Sequence, residues 1–161
     1  MPSLFRRPAR RSLAAAVAGL ALTLSLGLGP AGAQDQSRAG PERLVTVVTA
    51  GDAQTQLMAM VLTLQAVNQG AQAQMLLCGP GGDIALKEAP ESATAAQAPR
   101  GASPQGLLTR LIQGGATVEV CAIYLPNKPA DASALIDGVG VAKPGPMAEA
   151  LMAPRTRVLS F

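Results

Sequence analysis

Hydrophobic and polar positions along this chain switch repeatedly between two periods, and each switch predicts an element. LVTVVTA (44–50) is apolar or β-branched on both alternating faces, the pattern of a strand covered on both sides in a parallel sheet. The period then lengthens. In AQTQLMAMVLTLQAVNQG (53–70), Leu57, Val61, Leu64 and Val67 recur at spacings of three and four among strong helix formers. Asp52 is placed to cap that helix and Gly70 to stop it. Met58, Met60 and Leu62 widen its apolar surface and predict more than one buried face, with Met filling irregular gaps rather than forming a metal or partner stripe.

The alternation continues through the rest of the chain. AQAQMLLC (71–78) reads as a second strand, GPGGD (79–83) as a turn, and a short helix is expected from Asp83 to about Glu88. Residues 88–103 are rich in Ala, Pro and Ser, which predicts a mobile surface loop. Ser103 and Pro104 then stand in cap and first-turn order before Leu107, Leu108, Leu111 and Ile112, and Gly114 and Gly115 end that helix. VEVCAIYLPN (118–127) supplies a third strand. A short helix over 130–136, an extended segment at 138–141, a helix at 145–153 and a last strand at 156–161 complete the series. Strands separated by helices predict an α/β fold: one domain over 44–161, with a mainly parallel sheet of about five strands in three α/β/α layers.

Charge changes the picture at the N-terminus. Arg6, Arg7, Arg10 and Arg11 precede the apolar run 13–29, and AGA (31–33) follows as a small-residue cleavage site, so residues 1–33 read as a cleaved secretory signal. Arg10-Arg11 also resembles a twin-arginine signal. An uncleaved anchor is the alternative for so long a run, but Gly and Pro interrupt its end. Residues 34–43 form a flexible lead-in. The reading implies an exported, periplasmic protein with no membrane segment after cleavage.

Removing residues 1–33 leaves nine basic against ten acidic side chains, so the formal +3 of the whole sequence becomes −1. With no basic cluster left, and only Tyr124 and Phe161 as aromatics, nucleic acid is not expected as a partner. The absence of histidine excludes Ser-His-Asp and Cys-His catalysis and histidine-ligated metals. No cofactor and no metal site are expected.

What remains for chemistry is at the strand ends, where ligands bind in parallel α/β sheets. These ends hold Gly51 and Asp52, Cys78 with Gly79, Gly81 and Gly82, and Cys121 with Tyr124, Asn127 and Lys128. CGPGGDI lacks the Gly-Lys-Ser/Thr ending of a P-loop and has Ile84 where a dinucleotide fingerprint needs its third glycine, which favours a tight turn over a phosphate cradle. The cysteines form no C-x-x-C pair. One intervening strand would put their backbones about 10 Å apart, too far to bond, whereas adjacent strands would allow a disulfide. Alternation along 117–124 makes Glu119 a same-face neighbour of Cys121 at roughly 6.7 Å, which raises the thiol pKa. Lys128, beyond the turn, is placed to offset it. These residues alone favour a structural cysteine.

A resemblance shifts that balance. VVTAGD leading into a long helix, MLLCGPGGDIAL, LIQGGATVEVCAIYLPN, LIDGVGVAKPGPMAEAL and the terminal VLSF together resemble the DsrE/DsrF-like family of small α/β proteins, over Leu44 to Phe161. In its sulfur-relay members, a cysteine after a G-x-x-V-x-V motif bears a persulfide, and Cys121 matches it. The resemblance implies that Cys121 binds or relays sulfane sulfur between a donor and an acceptor protein, and that the chain assembles into a trimer or hexamer. Cys78 would then resolve an oxidised Cys121, bond to it, or be inert. The competing reading is a non-catalytic binding or assembly module with Cys121 structural or disulfide-bonded to Cys78. Known relays are cytoplasmic, so the export signal sets this chain apart from them.

Overall fold

The computed structural model describes residues 42–161. The expected signal peptide and nearly all of the lead-in lie outside them. Five strands, β1 (Arg43–Val48), β2 (Gln72–Leu77), β3 (Thr117–Val120), β4 (Val139–Val141) and β5 (Thr156–Ser160), form one sheet in the order β4-β3-β2-β1-β5. Every pairing is parallel. The helices are α1 (Ala53–Asn68), α2 (Glu91–Thr94), α3 (Pro104–Gln113) and α4 (Pro144–Met152).

The strand order divides the helices between two faces. The crossovers through α1 and α3 move one way across the sheet and the crossover through α4 moves back, so right-handed connections place α4 opposite the other two. Side-chain alternation matches this. Val48, Met75, Leu77, Val118 and Val120 join Ala59, Met60, Leu108 and Leu111 in one core, while Val45 packs with Met147 and Ala150 in another. Thr46 also points to the α1 side, where both it and Thr63 are fully buried with their hydroxyls 2.8 Å apart. Thr63 donates to Ala59 O, so Thr46 is the donor between them.

Caps fall where the sequence placed them. Asp52 accepts from the Thr55 amide at 2.9 Å at the start of α1, and Ser103 accepts from the Gly106 amide at 3.1 Å at the start of α3. Both helices end in the same pair of reversed bonds, Gly70 N to Val67 O with Ala71 N to Ala66 O, and Gly115 N to Ile112 O with Ala116 N to Leu111 O. Each chain therefore turns directly into the next strand.

Several expectations shift. Met60 is buried, but Met58 and Leu62 are exposed, so α1 has one core face and a partly apolar outer one. The helix expected over Asp83–Glu88 is instead a 3-10 turn over Gly79–Ala85, and that expected over 130–136 is a 3-10 turn at Ala132–Ala134. Residues 88–103 hold α2 and an antiparallel bridge between Gln97 and Ala102, and Ala93 of α2 is fully buried against the core. Among the described residues, no helix is long and apolar enough to cross a membrane.

Candidate functional site

β2 and β3 are neighbours, which decides the cysteine question. Their register pairs Leu77 with Val120, so Cys78 and Cys121 are the next opposed residues at the carboxyl edge. Their Cα atoms are 5.1 Å apart and their sulfurs are joined as a disulfide. Both residues are half-buried, neither sealed in the core nor fully open. Their backbones stay tied to the sheet, through Cys78 N to Val48 O and Cys121 N to Leu77 O, each at 2.9 Å.

β3 ends at Val120, earlier than the apolar run suggested. The chain bends because the Tyr124 amide bonds back to Cys121 O at 2.8 Å, and the tyrosine is then buried by a turn rather than by strand alternation. Its hydroxyl donates to Asp83 Oδ1 at 2.6 Å. Lys128 Nζ meets the same oxygen at 2.5 Å and lies 5.5 Å from the tyrosine ring centre. Asp83 thus gathers both polar groups of the turn after β3. Burial, then the hydrogen bond and charge of Asp83, hold the Tyr124 phenol well above its ordinary pKa.

Lys128, expected to offset the effect of Glu119 on the Cys121 thiol, is engaged elsewhere. Lys128 is committed to Asp83, and Glu119 accepts from Gln74 Nε2 at 3.1 Å on the neighbouring strand. Asp83 itself was not singled out in the sequence. A lone carboxylate in a glycine-rich turn carries no local sign of a partner 41 positions away.

The glycines of the turn serve packing. A side chain on Gly81 would collide with Val48 O, and one on Gly82 with the Tyr124 ring. The Gly81 amide is already bonded to Thr49 O and Cys78 O. The turn is filled from within, in keeping with a tight turn rather than a phosphate cradle. Gly51 lies against Pro80, and Asp52 is occupied as the α1 cap, its pKa lowered first by the Thr55 amide.

Gly79, Asp83, Tyr124, Asn127 and Lys128 instead line a shallow cleft of about 510 Å³, together with Pro80 and the exposed Ile123. The structure therefore brings Gly79, Tyr124, Asn127 and Lys128 together in the turns that follow the two cysteines. Gly51 and Asp52 are not among the cleft's lining residues. Among the described residues, no cluster of His, Cys, Asp or Glu has the makings of a metal site.

No family model and no curated protein matches the chain. Solved structures do. The ychN protein from E. coli superposes with a TM-score of 0.60 at 15% identity, covering 75% of this chain and 99% of its own. MTH1491 from Methanobacterium thermoautotrophicum, described as a protein of unknown function, gives 0.56 at 13% identity over 74% and 99%. At such identities the likeness speaks for architecture, and the described chain is accordingly a single α/β domain of the DsrE-like fold.

Proposed function

We propose that this is an exported DsrE-like protein that binds or relays sulfane sulfur through Cys121, with Cys78 as its resolving partner. The observation that carries the reading is the opposition of the two cysteines at the carboxyl ends of adjacent parallel strands, half-buried beside a cleft. In the reduced protein, the Cys121 thiolate attacks the outer sulfur of a donor persulfide and becomes Cys121–S–SH, while the donor leaves as a thiolate. An acceptor thiolate repeats the exchange in the other direction. The same reading carries a homo-oligomer, trimer or hexamer, and the exposed Met58 and Leu62 on α1 offer it apolar surface.

The test is intact mass after reduction, exposure to a polysulfide donor and removal of the donor. One added sulfur is expected in Cys78→Ser, up to one in the wild type, where Cys78 can expel it as hydrosulfide, and none in Cys121→Ser. A second reading rests on Asp83, which ties Tyr124 and Lys128 across the same two turns. There the disulfide is one more staple around a binding cleft. Absence of sulfur uptake in all three proteins would select it.

A further inference from the structure

We propose that the oxidised pair is itself a sulfur acceptor: hydrosulfide, a small anionic sulfur nucleophile, enters the cleft and opens the Cys78–Cys121 disulfide to load Cys121. The proposal rests on Cys121 as the sulfur-bearing residue and adds a substrate and an entry state to that reading. Three observations carry it. Cys78 and Cys121 are both half-buried rather than sealed in the core. The cleft is lined by Gly79, Pro80 and Asp83, from the turn that follows Cys78, and by Ile123 and Tyr124, from the turn that follows Cys121, so it adjoins the disulfide although neither cysteine lines it. Lys128, partly exposed, is the cation among its lining residues and is paired there with Asp83, whose charge it balances.

A further observation concerns what stays in place when the bond opens. Sheet hydrogen bonds hold the backbones of both cysteines, and Asp83 holds Tyr124 and Lys128 across the turns, so neither arm depends on the disulfide alone. The expelled thiolate therefore remains opposite its former partner. The step balances within the site. Hydrosulfide attacks Cys121 Sγ, the bond to Cys78 Sγ breaks, and Cys78 leaves as a thiolate while Cys121 becomes Cys121–S–SH. The incoming sulfur is oxidised to the sulfane level by the two electrons that reduce the disulfide, and its proton stays on the outer sulfur. In reverse, the Cys78 thiolate attacks the inner sulfur of Cys121 and expels hydrosulfide, which closes a reversible cycle without an external oxidant.

The test uses protein purified without reductant and treated anaerobically with one equivalent of sodium sulfide. Alkylation, intact mass and peptide mapping follow. The expected product has gained the elements of one hydrogen sulfide, with one alkyl group on the Cys78 thiol and one on a Cys121 persulfide. Pre-reduced protein and Cys78→Ser, which lack the disulfide, should gain no sulfur from sulfide. Lys128→Gln should load several-fold more slowly. An oxidised protein left unchanged, sulfur mapped to Cys78, or equal gain by pre-reduced protein would overturn the proposal. If the reduced protein loads Cys121 from polysulfide while the oxidised one ignores sulfide, this inference falls and the relay reading stands. If both treatments fail, both fall.

Discussion

Tyr124 donates its phenolic proton to Asp83 Oδ1 at 2.6 Å, joining the turn after β3 to the turn after β2. Because the chain has one tyrosine and no tryptophan, this contact has its own optical readout. Burial and then the Asp83 carboxylate favour the neutral phenol, so the folded pKa lies above the ordinary value of about 10. The unfolded chain ionises first. Stability from this site is thus complete below pH ~10 and declines as pH rises beyond it toward the folded pKa. Near-ultraviolet absorbance should show no phenolate in the native protein at the pH where the denatured protein is half ionised, and Tyr124→Phe should remove the alkaline loss of stability attributable to this group.

Gly82 is where the same tyrosine ring leaves no room. Gly82→Ala sets a methyl group into the ring and should lower stability by about 1–3 kcal/mol in denaturant titration. Gly81→Ala should cost more, because the obstacle there is the β1 backbone at Val48, which has no rotamer to change.

The buried Thr46–Thr63 pair makes a prediction about the α1 face of the sheet. Thr63→Val removes the acceptor for the Thr46 hydroxyl where no water reaches, at a cost of about 1–3 kcal/mol. Adding Thr46→Val deletes the stranded hydroxyl as well. The double variant should be more stable than the sum of the two single losses, and a thermodynamic cycle from chemical denaturation reads that difference directly.

Acid should act through the caps. Asp52 and Asp131 both have lowered pKa values, the first mainly through the Thr55 amide and the second through the Ser133 side chain. A carboxylate depressed in the folded state contributes stability above its unfolded pKa and loses it as pH falls through its folded one. Asp52→Asn, which keeps a capping oxygen without the charge, should therefore flatten the acid limb of the stability curve.

Periodicity and end signals made the elements readable: the run from Leu44, the Asp52 and Ser103 caps, and the glycines after α1 and α3 each speak through neighbours in sequence. Pairing does not. Nothing local to MLLC or to VEVC states that β2 lies beside β3, and on that adjacency alone depends whether Cys78 reaches Cys121. The turn at Tyr124 was hidden for a related reason. Its apolar alternation continues that of β3, and only the distant Gly82 and Asp83 show why the chain leaves the sheet there. The place of Lys128 beyond the turn suggests that it offsets the effect of Glu119 on the Cys121 thiol, whereas the fold gives Lys128 to Asp83 and Glu119 to Gln74.

The sulfur proposed on Cys121 is labile, and cyanide removes such sulfane sulfur as thiocyanate. After reduction, loading with polysulfide and removal of excess donor, Cys78→Ser should release about one thiocyanate per chain and the wild type no more than that, because its Cys78 thiolate can expel the sulfur as hydrosulfide. Cys121→Ser should release none. Equal release from all three proteins, or none from any of them, would contradict the account.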